Sequence, residues 1–499
     1  MKPAWQKYLI ILIVILGLGV YLFHKVDLTT ADLGRHIKNG QMIFEGHFKE
    51  IVSHNYYSYS YPESTFINHH WLTGIIFFLI EKGFGFGGLT ILYGALLIGS
   101  LLLSLKIQPK LHPLVLIIVL ALVIPLIGNR FEIRPEGFSY LLFSIVWLIV
   151  HNFSIGRWSK KVLWWLPLIM LVWVNLHIYF IFGLGLIIAY FVWSLITKRD
   201  YTPIILPGLV SVGACCLNPS GLTGLIYPLN IFRTYGYNVL ENMSASYLIE
   251  RGLTNPVYWW IVVVLVILVV TSIWQYMINR QWRDLIIQIL AIIMGLVAFN
   301  AIRNTALFGI TATVALGINF QRLIKIYLDN PRRILAITGA VIWLVVIVIF
   351  NPLVSARAEA LGWGLGEGVG CQKAAQFIKA NNISGPMFND YDIGGCLIYE
   401  LFPDIKPYVD NRPEAYPEGY FQEEYIPMQS DPALWSEYAK KYQFNVLVIY
   451  RADLAEWTQT LLGRVEGDNQ WVRVYTDERI VVYVANDTKN QTVIDKYGQ

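Results

Sequence analysis

Charge is scarce in this sequence. Only 14% of its 499 residues are Asp, Glu, Lys or Arg, while 56% are apolar; a soluble domain carries about 25% charged residues. An ordinary soluble protein is thereby excluded. The basic and acidic residues leave 38 − 34 = +4, too little and too dispersed for a nucleic-acid surface. Cysteine is sparse, with four residues. Cys215 and Cys216 are adjacent in an apolar run and read as packing residues. Cys371 and Cys396 lie in a polar region, as a disulfide of an oxidising compartment or as two free thiols. No Walker sequence is present. The stretch G-F-G-F-G-G at 83–88 has the wrong spacing for a dinucleotide fingerprint and follows no strand, so it reads as a flexible turn. Lack of a nucleotide site argues against a pump or a transferase with a cytosolic donor. There is no internal repeat and no low-complexity segment. The first apolar run, 8–23, lacks a small-residue cleavage site and follows Lys2 and Lys7, which makes it a retained signal anchor with a cytoplasmic N-terminus.

What the chain has is apolar length. Mean hydropathy is +0.50, and many apolar runs approach the roughly 17–25 residues of a bilayer span. The 17 Trp and 30 Tyr suit interfacial belts. The expected fold is an α-helical polytopic membrane protein followed by a C-terminal soluble α/β domain. Keeping the basic loops inside gives about eleven spans. In that arrangement residues 71–80 stay on the outer side, 89–105 is the second span, V-N-L-H divides 162–193 into two spans, and 334–350 exits last. The membrane region is 1–354, with a first outer loop at 25–87 and a second at 218–256. Residues 355–499 form the extracytoplasmic domain. Its expected strands are 386–389, 406–410 and 446–450, with a hairpin at 471–475 and 480–484 around T-D-E-R. Helices are expected at 371–380 and 432–442, and a frayed tail after 486. The location is the cell inner or plasma membrane.

Polar residues gather at the outer ends of the spans, where ionisable groups default to function. Residues 27–72 hold the densest set. The pattern from 32 to 44 predicts an amphipathic helix lying in the interface. Asp32 is the candidate general base, with Asp27, Glu45 and Glu50 as alternatives; as a plain helix N-cap it would serve structure alone. His36 lies one turn on, and His54, His69 and His70 share the loop; all four are candidates to bind the substrate or its phosphate. A divalent metal is compatible with this grouping, hydrogen-bonding histidines account for it as well, and no metal is assigned. In the outer turn R-F-E-I-R-P-E, Arg130 and Arg134 are candidates to hold a phosphate, as is Arg303 in N-A-I-R-N. Pairing with Glu132 and Glu136 is the structural alternative. Asn175 and His177 would line the same outward cavity or tie helices together.

An ordered set of motifs then carries a resemblance. These are D-L-G-R-H-I-x-x-G from Asp32, Y-S-Y-S from Tyr57, F-I-N-H-H-W-L from Phe66, R-F-E-I-R-P-E from Arg130, W-V-N-L-H from Trp173 and N-P-S-G from Asn218. F-N-D-Y-D-I-G-G from Phe388 and Y-V-D-N-R-P-E-A-Y from Tyr408 complete it. The chain resembles, over nearly its whole length, a family of bacterial polytopic proteins placed with the GT-C glycosyltransferases. The resemblance implies a GT-C fold, an acidic catalytic residue in the first outer loop and a polyprenyl-phosphate sugar donor. Carried over by residue, it supports Asp32 as the base. Arg35 stands where a Trp is usual, and His70 where a Glu is usual.

The expected function is therefore transfer of a sugar from a polyprenyl phosphate to an acceptor hydroxyl on a lipid, glycan or protein, at the outer face of the membrane. Asp390, Asp392, Asp410 and Arg412 are the candidates by which the C-terminal domain would meet the acceptor, although structural roles at turns and strand ends account for them better. A transporter or flippase for lipid-linked saccharides would call for paired mid-membrane charges and repeated halves, and neither is visible. A lapsed scaffold of the same fold is the third alternative.

Overall fold

The computed structural model describes residues 5–29, 32–108, 110–230, 236–237, 239–279, 284–327, 362, 364–366 and 371–499. The expected last span at 334–350 and Arg280, Arg283, Arg332 and Arg333 lie outside the described residues. The chain divides into two compact units, each assembled from separate stretches. The first takes residues 1–24, 90–221 and 239–363; the second takes 25–89, 222–238 and 364–499. The contacts thus group the first outer loop with the C-terminal domain, a grouping that a linear boundary at 354 does not express.

The first unit is helical. The first apolar run forms the Trp5–Leu22 helix. Among the described residues four helices are long and apolar enough to cross a membrane: Trp71–Ile107, Glu136–Ser154, Val257–Ile278 and Ile302–Ile324. Shorter apolar helices occupy Pro113–Gly128, Phe180–Ile196, Thr202–Cys215 and Leu285–Asn300. Burial sorts them. The apolar window of Ile302–Ile324 is 78% buried and that of Val257–Ile278 only 28%, so the former is central and the latter turns Trp259, Val266 and Ile273 outward, as a lipid-facing helix does. Polar ties fasten the central helix: Asn319 accepts from Gln288 at 3.0 Å and donates to Thr271 at 3.1 Å. Such bonds are worth about 0.6 kcal/mol each in a membrane bundle. The V-N-L-H break is present, since His177 turns extended between Trp165–Leu176 and Phe180–Ile196.

One helix departs from expectation. Trp71–Ile107 runs as 37 residues with a bend at Gly85, where φ is 65°. Residues 71–80 are therefore not a separate segment, and the glycine-rich stretch is wound helix apart from that point. Glycine alone takes this φ without steric cost.

The second unit holds a four-stranded sheet in the order β1-β2-β4-β3, with β1 Met387–Asn389, β2 Val446–Tyr450, β3 Trp471–Thr476 and β4 Ile480–Ala485. β1 runs parallel to β2; β2 with β4 and β3 with β4 are antiparallel. Residues 406–410 do not add a strand. The Asn389 side chain takes their backbone instead, accepting from Tyr408 N at 2.8 Å and donating to Val409 O at 2.8 Å. The tail is not frayed: Gln491–Tyr497 is a helix, Val493 is buried, and Gln499 N donates to Arg473 O. Cys371 and Cys396 form a disulfide.

The first loop folds onto this sheet. Tyr57 is buried and donates to Asn39 at 2.8 Å, Tyr59 to Met387 O at 3.0 Å and Tyr61 to Glu424 at 2.8 Å. Ser58 Oγ donates to Tyr408 O at 3.0 Å. The alternating Y-Y-S-Y-S-Y run is thus a packing device. The Leu33–Phe44 helix is not interfacial either; nine of its twelve residues are buried. Glycines explain why. A Cβ at Gly40 would fall into the Gly74 carbonyl and lie 2.6 Å from Phe78 Cβ, and one at Gly34 would lie 2.8 Å from Tyr399 Cβ. Small residues let helix backbones close on one another.

Candidate functional site

Asp32 stands just before the Leu33–Phe44 helix and does not cap it with its side chain. Its carboxylate is 26% exposed and lies 3.7 Å from Arg35. Asn411 Nδ2 donates to it, while Arg35 Nε donates to Asn411 Oδ1 at 3.3 Å. The amide thus links cation and carboxylate and fixes the latter's direction. Asn411 was not among the expected site residues. Its signal lay in the motif Y-V-D-N-R-P-E, but a neutral amide between two charged residues draws no notice by residue type.

Its neighbours in that motif are structural. Arg412 grips Asp410 with Nε at 2.7 Å and Nη2 at 2.6 Å and reaches Asn55 at 2.8 Å. Both are buried, so neither is open to an acceptor, and they take the structural role that the sequence favoured. Asp390 is likewise buried and accepts from Ile393 N and Tyr450 N, tying a strand end. Asp392 differs. Burial, with Asp453 and Asp32 nearby, pushes its carboxyl up to about 6. Burial raises Glu414 as well, with Asp32 contributing. A carboxyl poised as Asp392 is suits proton transfer.

The loop histidines divide. His36 is buried and meets His70 edge-on at 5.3 Å. His69 is buried against Tyr227 at 4.4 Å, and burial pushes its pKa down to about 3. A neutral, enclosed ring does not hold phosphate as a cation, which corrects its expected role. His54 shares a 2.7 Å hydrogen bond with Ser53 Oγ. Among the described residues no three His, Cys, Asp or Glu side chains group to hold a metal, so no step is assigned to one.

The other candidates belong to the first unit. Arg130 Nε donates to Glu136 at 2.6 Å and its Nη2 lies 3.0 Å from Glu241. Arg134 holds Glu132 at 2.7 Å and Glu241 at 3.0 Å. Arg303 lies 3.9 Å from Glu136 and 3.8 Å from Glu241. Expectation paired the arginines with Glu132 and Glu136 and missed Glu241. Two carboxylates leave a third buried cation uncompensated, and an uncompensated buried charge is costly, so a third acid was to be sought. Asn175 donates to Leu171 O at 2.9 Å and Leu217 O at 3.1 Å. His177 meets Ser139 at 2.9 Å. Both tie helices together, the structural alternative already weighed.

No protein-family model and no curated protein sequence matches the chain. Solved structures do. The oligosaccharyltransferase AglB of Archaeoglobus fulgidus, in complex with an inhibitory peptide and a dolichol-phosphate, matches with a TM-score of 0.62 at 11% identity, over 98% of this chain and 75% of that one. Its apo form matches with a TM-score of 0.64 at 10% identity, over 98% and 76%. ArnT of Cupriavidus metallidurans, bound to undecaprenyl phosphate, matches with a TM-score of 0.56 at 13% identity, over 98% and 99%. At such identities the likeness is one of fold alone: the chain shares the fold of these solved proteins.

Proposed function

We propose that this membrane protein transfers a sugar from a polyprenyl-phosphate donor to an acceptor hydroxyl at the outer face of the membrane. Asp32 takes the hydroxyl proton as the acceptor oxygen bonds to the anomeric carbon. The anomeric C–O bond to phosphate breaks, and the lipid phosphate leaves with the electron pair. Within the first unit, Arg130, Arg134 and Arg303 are the groups suited to hold a lipid phosphate, the kind of electrostatic help such a leaving group needs. Asp392 and Glu414 set the acidity around the base. The fold likeness supports the reaction class, since the AglB and ArnT structures hold lipid phosphates. The disulfide supports an extracytoplasmic second unit, in keeping with about eleven spans.

The observation that carries the proposal is Asp32 itself: a partly exposed carboxylate aimed by Asn411 and Arg35 at the mouth of a buried helix. Asp32→Asn in the full-length protein is expected to lower transfer from a labelled polyprenyl-phosphate sugar by about a thousandfold, with unchanged yield and melting temperature. Transfer at the wild-type rate removes Asp32 from the chemistry. A second reading, a non-catalytic scaffold, is favoured by one observation: the three arginines already face three carboxylates. It predicts that Asp32→Asn leaves the cellular phenotype unchanged.

A further inference from the structure

Among the three glutamates beside the arginines, Glu241 stands apart. Glu132 is held by Arg134, and Glu136 chiefly by Arg130. Glu241 is shared. It reaches Arg130 at 3.0 Å and Arg134 at 3.0 Å, and lies 3.8 Å from Arg303. Burial pushes its carboxyl up, but Arg134, Arg130 and Arg303 more than offset this and hold it below the usual carboxylate range. It arrives on a short turn, Leu240–Asn242, 107 residues beyond Arg134.

Three guanidinium groups converging on one anion is the arrangement that binds phosphate. A carboxylate offers two oxygens, and it leaves donors over. Arg303 Nε and the Tyr179 hydroxyl are buried without a partner, and the Arg303 guanidinium lies 5.8 Å from the centre of the Tyr179 ring. A phosphate monoester brings three non-bridging oxygens. With Glu241 in place the three arginines and three glutamates cancel; without it the cluster carries a net positive charge. A cleft of about 260 Å³ opens here, lined by Arg130, Arg134, Glu241, Leu240, Asn255 and Ile302.

We propose that Glu241 is a built-in stand-in for the substrate phosphate, filling the arginine cluster in the unliganded protein and leaving when the phosphate of an isoprenoid lipid takes its place. This rests on the arginines being the donor-phosphate site. Each binding event then displaces an internal anion, so affinity for the lipid phosphate is set below what the arginines alone would give. Release of product is eased by the same competition.

The test is equilibrium binding to the full-length protein in nanodiscs, with a C15 isoprenyl phosphate, the matching isoprenyl alcohol and inorganic phosphate as probes. Glu241→Gln keeps the side-chain shape and removes the charge. It is expected to bind isoprenyl phosphate about tenfold tighter than wild type, with no change for the alcohol, whereas Arg134→Gln loses phosphate binding. An equal gain for inorganic phosphate identifies the free ion as a ligand too; a gain confined to the lipid form identifies the headgroup. Glu241→Asp retains the charge on a shorter arm and is expected to gain less, which serves if the Gln variant does not fold. If both Glu241 variants bind no tighter while Arg134→Gln weakens binding, the phosphate site stands and the stand-in is wrong. If wild type and variants all fail to bind and Arg134→Gln changes nothing, both are wrong.

Discussion

The buried arginine cluster of the first unit and the surroundings of Asp32 in the second hold their ionisable groups by different means. In the first, charge is held by charge: three arginines against three glutamates, with Glu136 only 2% exposed. In the second, Asp32 lies 3.7 Å from Arg35 and has acidic neighbours in Asp392 and Glu414. Its position comes from backbone fit, through the glycine contacts of the Leu33–Phe44 helix. Saturated charge makes a stiff cluster that stays chemically quiet until one member is displaced. Burial beside other acids instead leaves Asp392 titrating at about 6.

This contrast can be broken from either side. The largest effect is expected in the first cluster. Glu136→Ala strips Arg130 of its shortest partner and Tyr140 of an acceptor at 3.1 Å. Breaking a buried pair costs about 3–5 kcal/mol, read as a fall in melting temperature in detergent; a fall no larger than that of a surface variant would show that the cluster does not bear on stability. Next is Gly40→Ala. The added methyl meets the Gly74 carbonyl, and overpacking of this kind costs about 1–3 kcal/mol. Sugar transfer should drop as well, because Asp32 moves with its helix. Full activity with unchanged stability would mean that the backbone fit does not position the carboxylate. The smallest effect sharpens the comparison. Asp392 titrates at about 6 in the folded chain against an ordinary 3.8. The folded form therefore holds this proton more tightly, and that stabilisation is present below pH 3.8 and lost as pH rises through 6. Asp392→Asn cannot ionise and should be more stable than wild type above pH 6, by about 1–2 kcal/mol after solvent screening. Parallel stability profiles of the two proteins between pH 4 and 8 would dismiss the shift.

Helix positions were legible because apolar length and periodicity are local properties. The hairpin and β2 were legible for the same reason. The strand expected at 406–410 was not formed, because one distant side chain, Asn389, supplied the hydrogen bonds that a neighbouring strand would have given. The Leu33–Phe44 helix has an amphipathic pattern suited to an interface, and only its glycines hint at burial on every side. Asp32 drew notice by residue type and motif, and its role stays a proposal. Asn411 and Glu241 were not, since each acquires its role from a partner far along the chain. His69 looked like a phosphate ligand by type, and its enclosure against Tyr227 is invisible to sequence.

The tyrosine-bearing loop reaches partners 328 to 363 residues downstream. During synthesis it emerges early and has nothing to fold against until the last third of the chain is made. Its completion is therefore a late event, slowed by the entropy of closing so long a loop. Asp32 acquires its Asn411 partner at that same moment, so a chain cut short before residue 364 carries Asp32 but never assembles its surroundings.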